Sequence, residues 1–154
     1  MAEDAARRDF TINALYADSH GRVTDPIGGL ADLRAGRVRF IGAAAERIRE
    51  DYLRILRFFR FSARYAGEGI EPEGLAACAA LADGIDGLAR ERIGAEMRKL
   101  LAAPDPARAV AAMEDAGVLA RCLPGASAAL LRPLVAAERA AHAGPDWLRR
   151  LAAM

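Results

Sequence analysis

Apolar positions follow two rhythms along this chain. In residues 1–42 they form short alternating runs. Thr11 to Ala17 (TINALYA) has strand character, Asp18-Ser19-His20-Gly21 is a turn cluster, and Arg22-Val23-Thr24 reads as the return strand of a hairpin. Asp25-Pro26 ends that pairing, because proline lacks the amide a ladder needs. Gly28-Gly29 allows a tight turn before a single helical turn at Leu30 to Leu33. Arg37 to Ile41 (RVRFI) again alternates as a strand does, and Gly42 closes it. From Ala43 onward the period is helical. Ile48, Tyr52, Ile55, Phe59 and Ala63 fall on one face, which predicts one helix over about 44–65 with that face on the core. Gly67-Glu68-Gly69 breaks it. Further helices are predicted over 72–82, with Pro72 at a tolerated early position, and over 86–102, with Asp86 as N-cap. Others follow over 106–116, closed by Gly117, and over 127–140, with a short helical turn at 118–123 and a new helix opening at Pro145. The pattern describes a mainly α chain. A short β-hairpin part occupies residues 1–42, and a helical part occupies 43–154.

Composition narrows the class. A length of 154 residues is one domain's worth, and 53% hydrophobic with 28% charged residues excludes a disordered chain. Abundant alanine with only 6% aromatics favours helices packed through small side chains. No uncharged apolar run approaches the roughly 18 residues a membrane span needs, and the first residues lack the apolar stretch of a secretion signal. A cytoplasmic protein is expected. Cys78 and Cys122 match no zinc spacing and read as buried thiols in a reducing compartment. His20 reads as a turn residue, His142 as a surface helix residue, and Trp147 as a core or interface anchor.

Charge adds a gradient that the formal net charge of +1 conceals. Residues 1–64 carry a net positive charge and residues 65–154 a net negative one. Nearly all the basic residues are arginine. A codon bias explains arginine in place of lysine but not where the arginines cluster. Between Arg47 and Arg64 of one predicted helix, Arg47, Arg49, Arg54, Arg57, Arg60 and Arg64 stand against only Glu50 and Asp51. Such clustering is an electrostatic footprint for phosphate or nucleic acid. The spacings of Arg54, Arg57, Arg60 and Arg64 put them along one side, and within the predicted helix no acid sits at pairing offsets from the last three. They either face an anion or pair with acids from elsewhere in the fold. Arg7-Arg8 raises the same choice: a guanidinium fork for a triphosphate, or one arginine paired with Asp9 and the other solvated.

Asp51 and Arg54 offer something more specific. Asp only accepts hydrogen bonds and Arg only donates them. At i and i+3 both reach one planar ligand. Cytosine and adenine present an amino donor beside a ring-nitrogen acceptor, whereas uracil and guanine present the reverse. The pair would therefore admit C and A and reject U and G, because a mismatched edge leaves polar groups unpaired.

RRDFTINAL, then DPIGG-x-x-DL from Asp25 to Leu33, RIREDYLRILRFFRFSARY from Arg47 to Tyr65 and RERIGAEMRKLL from Arg90 to Leu101 together resemble the tRNA nucleotidyltransferase (CCA-adding) and bacterial poly(A) polymerase family. The resemblance spans roughly residues 5–125. It implies the last β-part of a nucleotidyltransferase head over 1–42, followed by a helical neck and part of a body over 43–154. It also implies a protein-templated enzyme that adds C and A to the tRNA 3′ end from CTP and ATP with magnesium. Carried over by position, Arg8 matches an arginine that contacts the nucleotide. Asp51 and Arg54 match the base-reading pair, and Arg57 and Arg60 match triphosphate-holding arginines. The family's D-x-D carboxylates, which hold two metal ions for in-line transfer, have no counterpart ahead of RRDFT. No catalytic residue and no metal ligand is therefore assigned, and the chain alone is expected to be inactive. A poly(A) polymerase shares every one of these motifs. A non-catalytic RNA-binding helical module, or a plain helical domain with surface arginines, are readings of a different class. A head segment without its first strands would leave sheet edges unpaired, which makes the helical part the expected stable portion.

Overall fold

The computed structural model describes residues 2–67 and 69–154; Glu68, in the middle of the Gly67–Gly69 break, lies outside them. The chain opens with a helix that the periodicity did not predict, α1 (Ala2–Arg7). A hairpin of β1 (Tyr16–Ala17) and β2 (Val23–Thr24) follows, then α2 (Gly29–Arg34), α3 (Ala44–Glu50), α4 (Leu53–Tyr65) and α5 (Pro72–Ala80). The rest is α6 (Arg90–Leu101), α7 (Ala107–Asp115), α8 (Val118–Cys122), α9 (Leu131–Ala140) and α10 (Trp147–Ala152). The mainly α reading holds, with one two-stranded antiparallel sheet among the described residues, Tyr16 opposite Thr24 and Ala17 opposite Val23.

Several predicted elements are shorter than the pattern suggested, for local reasons. The strand over 11–17 is confined to Tyr16–Ala17, because Thr11–Asn13 winds into a 3₁₀ turn. The buried Asp9 carboxylate accepts from the Phe10 amide and from Asn13 Nδ2, and Thr11 Oγ1 donates to Asp32 at 2.7 Å. These side-chain bonds compete with an extended ladder. The strand over 37–41 is reduced to a single bridge, Phe10 opposite Phe40, flanked by Thr11 N–H to Arg39 O and Ile41 N–H to Asp9 O.

The helix over 44–65 is two helices. Asp51 adopts an extended backbone, φ −158° and ψ 108°, and its Oδ1 accepts from the Leu53 amide at 3.0 Å. An aspartate side chain satisfying the first amide of α4 starts that helix anew. The predicted face survives the break, with Ile48, Ile55 and Phe59 fully buried. Asp86 does not cap α6. It and Asp83 pair instead with Arg121, residues 82–87 form a 3₁₀ turn, and α6 starts at Arg90. The helix expected from Ser127 starts at Leu131, because Glu114 takes the Ala128 amide and Ser127 Oγ the Ala129 amide. His142 sits in the turn after α9, at φ 52°, and not on a helix. Asp146 caps α10 by accepting from the Leu148 and Arg149 amides.

One core runs through the molecule. Phe10 and Phe40 from the N-terminal segment pack with Phe58 of α4, the ring centroids 4.8 Å (Phe10–Phe40) and 5.5 Å (Phe40–Phe58) apart. The helices are thereby fastened to the segment that precedes them. Trp147 packs on the edge of this core. Cys78 and Cys122 are both buried and free, and burial pushes the Cys122 thiol up to about 12, so neither is a nucleophile at neutral pH. No described helix is long and apolar enough to cross a membrane.

Candidate functional site

The corner between α3 and α4 gathers the arginines that the sequence singles out. Its anchor is Asp9, buried beneath the end of α1. Asp9 Oδ2 accepts from Arg57 Nε, while Oδ1 holds Asn13. Burial works to raise the Asp9 carboxyl, but the hydrogen bonds from Arg57 and Asn13 outweigh it and hold it below the usual carboxylate range. For Arg57 burial works to lower the pKa, and the bond to Asp9 outweighs it. A carboxyl whose folded pKa is depressed contributes stability above its unfolded value of about 3.9 and loses it as pH falls through the folded value. Asp9→Asn is therefore expected to be less stable than the native chain at pH 7, with the gap closing below about pH 4. Urea unfolding at pH 7 and pH 3 measures this, and a gap independent of pH would contradict the assignment.

Around Asp9 the cations are tied in series. Arg47 donates from Nη2 to the Arg8 carbonyl and from Nη1 to Glu50. Arg54 Nη1 donates to the Arg47 carbonyl at 2.8 Å and to Glu50 Oε2. The bond from Arg54, with the nearby charge of Arg47, keeps the Glu50 carboxyl below its usual range. Arg8 itself lies over the Tyr16 ring, with bonds to Asp4 and to the Asn13 carbonyl at 3.0 Å. Arg8, Arg54 and Arg57 are thus brought to one corner.

Asp51 and Arg54 do not share a helix. Asp51 stands at the break, half-exposed, and Arg54 lies one residue into α4. Asp51 Oδ2 accepts from Arg92 Nη2 of α6 at 2.8 Å. Both Asp51 oxygens thus accept one bond each and keep a further lone pair, and among the described residues Nε and Nη2 of Arg54 donate no hydrogen bond.

Arg60 lies further along α4. Its Nε is 2.7 Å from the buried Glu96 of α6, which also holds Lys99 at 3.2 Å, and its guanidinium stacks on Phe61. The acids missing from the helix offsets of Arg57 and Arg60 therefore come from other segments, Asp9 and Glu96. Arg57 donates to Asp9 through Nε, whereas Arg60 Nε faces Glu96 as an ion pair without hydrogen-bond geometry, and among the described residues no hydrogen bond is made by the Nη nitrogens of either arginine. A buried carboxylate behind Nε fixes the guanidinium and leaves its outer fork for phosphate oxygens. Pairing and phosphate contact are compatible. Arg64 is exposed at the far end of α4.

Sequence reasoning missed Arg47 as the bridge between segments, Asp9 and Glu96 as anchors, and Arg92 as the partner of Asp51. Arg92 and Glu96 lie in the RERIGAEMRKLL motif, and Asp9 in RRD, so the signal was present without its pairing. A cleft of about 420 Å³ beside Arg108 and Arg132, and a groove of about 480 Å³ beside Trp147, contain none of the five predicted residues. No three His, Cys, Asp or Glu side chains converge as a metal site among the described residues. The donor set of the corner, mostly arginine, does not fit a divalent ion.

The α3–α4 corner thus places arginines anchored by buried carboxylates beside an acceptor–donor pair. Residues 1–39 match the family described as "Poly A polymerase head domain", and residues 69–130 match "Probable RNA and SrmB- binding site of polymerase A". The chain is 43% identical over 126 residues to the "Multifunctional CCA protein" of Azoarcus sp. (80% of this chain, 30% of the relative). It is 46% identical over 101 residues to the human "CCA tRNA nucleotidyltransferase 1, mitochondrial" (64% of this chain, 23% of the relative). Among solved structures it resembles the Bacillus stearothermophilus CCA-adding enzyme in complex with CTP, with TM-score 0.75, 37% identity, and 89% of this chain and 35% of that one covered. It also resembles the Thermotoga maritima CCA-adding enzyme complexed with tRNA, with TM-score 0.68, 26% identity, and 82% and 32% covered. The chain belongs to the family of CCA-adding tRNA nucleotidyltransferases and bacterial poly(A) polymerases, and spans between 23% and 35% of the length of these relatives.

Proposed function

We propose that this chain supplies base selection and triphosphate contacts to a cytoplasmic tRNA nucleotidyltransferase that adds C and A to tRNA 3′ ends from CTP and ATP. The observation that carries this reading is the α3–α4 corner, where Asp51 keeps an acceptor and Arg54 keeps donors on either side of the helix break. In this reading Asp51 accepts from the exocyclic amino group of cytosine or adenine, and Arg54 donates to the adjacent ring nitrogen. Arg8, Arg57 and Arg60 contact the triphosphate, the last two through forks held from behind by Asp9 and Glu96. Residues 1–42 act as the closing part of a head, and 43–154 as neck and body. Magnesium, which supplies charge stabilisation at the attacking and leaving oxygens in such reactions, has no donor set among the described residues.

The test is an incorporation assay with the purified chain, magnesium, CTP and tRNA lacking its terminal CCA, alongside nucleotide binding. The expected result is binding of CTP without CMP addition. Robust addition would show that the chain holds a complete reaction centre and would contradict this division of labour. Absence of CTP binding would contradict the site itself.

A further inference from the structure

Arg57 and Arg60 carry like charges three positions apart on α4, and such charges repel. A phosphate chain is held best when both forks point the same way. The carboxylates behind them set this only in part. A carboxylate at Nε fixes where a guanidinium sits but lets it turn about the line from Nε to the oxygen. At Arg60 the restraint is weaker still. Its Nε faces Glu96 without hydrogen-bond geometry, so Glu96 supplies charge without direction.

The further restraint is the ring of Phe61. The guanidinium carbon of Arg60 lies 4.5 Å from the ring centroid, and that of Arg57 lies 5.6 Å from it. One ring therefore serves both cations. Its negative π-face attracts each of them, and a flat ring orients a flat guanidinium. The two arginine side chains are only 29% and 23% exposed, so water weakens the attraction less than at an open surface. The ring is itself braced. Phe10 stands 5.0 Å from it and Tyr65 5.7 Å, centroid to centroid. Phe10 follows Asp9, so the segment that takes Arg57 Nε also steadies the ring that Arg57 faces.

We propose that Phe61 is a positioning residue for triphosphate binding: its ring holds the Arg57 and Arg60 guanidiniums in one orientation, with their outer nitrogens toward the phosphates. This rests on reading Arg57 and Arg60 as the triphosphate contacts. The role depends on the electrons of the ring and not only on its volume. Weakening the π-face lowers affinity for a phosphate chain and leaves the preference between bases as it was.

The experiment is an equilibrium titration of the 154-residue chain with inorganic tripolyphosphate, CTP and UTP, with a thermal melt. It is repeated for Phe61→Leu, for Arg60→Gln, and for a chain carrying phenylalanine trifluorinated at its meta and para positions in place of Phe61. Fluorination keeps the shape of the ring and removes most of its negative π-face. Tripolyphosphate affinity is expected to fall by about threefold with the fluorinated ring and by about tenfold in Phe61→Leu, the scale of two cation–π contacts. The CTP-over-UTP ratio is expected to stay native in both. The fluorinated chain is expected to keep the native Tm, whereas Phe61→Leu melts lower because ring packing on Phe10 is lost. Native tripolyphosphate affinity with the fluorinated ring overturns the role and assigns any loss in Phe61→Leu to packing. Higher affinity also overturns it, because the ring would then be competing with phosphate for the cations. A fall in affinity matched by a fall in Tm of the fluorinated chain assigns Phe61 to structure alone. A fall in the CTP-over-UTP ratio with the fluorinated ring overturns the separation of effects. Native tripolyphosphate affinity in Arg60→Gln, or a native chain that binds none, overturns the reading of the arginines, and with it the role of Phe61.

Discussion

Replacing Arg150 with methionine is expected to cost about 3–5 kcal/mol of folding stability, the scale of breaking a buried ion pair from one side. Arg150 is 1% exposed, yet it is fully engaged. Nη1 donates to the carbonyls of Leu101 and Ala103, and Nη2 reaches the Pro104 carbonyl at 3.4 Å. Nε and Nη2 both donate to Glu138 Oε2, at 3.0 and 2.7 Å. The Leu101 carbonyl is the last of α6, where a cation also complements the helix dipole, and those of Ala103 and Pro104 lie in the loop that follows. One side chain therefore joins the end of α6 to α9 and α10. Without it those carbonyls lose a donor, and buried Glu138 keeps only Arg149. Burial works to raise the Glu138 carboxyl, and the bonds from Arg150 and then Arg149 outweigh it, holding it below the usual range. Its contribution is thus present above about pH 4.3 and lost as pH falls through the folded value, so the deficit of Arg150→Met is expected to narrow in acid. Urea unfolding at pH 7 checks the main effect. A loss under about 1 kcal/mol would show that the contact is solvated in solution.

The largest functional effect is expected at Arg54. Arg54→Ala removes the donors that face a ring nitrogen and should reduce the preference for CTP and ATP over UTP and GTP by about 10- to 100-fold, to near unity. The fold is expected to tolerate it, because Glu50 keeps its bond from Arg47. Arg54→Lys is not expected to rescue the preference. A lysine presents a point charge in place of the planar fork that meets Glu50, the Arg47 carbonyl and a base together. Titration with the four nucleotides measures both variants, and an Arg54→Ala chain with native preference would remove Arg54 from the site.

What could be read beforehand depended on whether the signal was periodic or paired. The buried face of Ile48, Ile55 and Phe59 was legible because helical spacing carries it even across a break. The break was not, because it depends on one aspartate choosing the Leu53 amide over continuation of α3. The same holds for Thr11–Asn13, where Asp9 and Asp32 turn a strand-like run into a 3₁₀ turn. The arginine row was legible as charge without acids at helix offsets. Its anchors were not, since Asp9 and Glu96 lie 48 and 36 residues from Arg57 and Arg60, and only folding brings them together. Arg150 shows the same limit: nothing in WLRRLA distinguishes a solvated arginine from one buried on three carbonyls.

The most direct test of the account is to titrate the native chain with CTP, ATP, UTP and GTP under one set of conditions. The acceptor at Asp51 and the donors at Arg54 predict that CTP and ATP bind at least about tenfold more tightly than UTP and GTP. Equal affinity for all four would mean that the α3–α4 corner holds phosphate without reading the base.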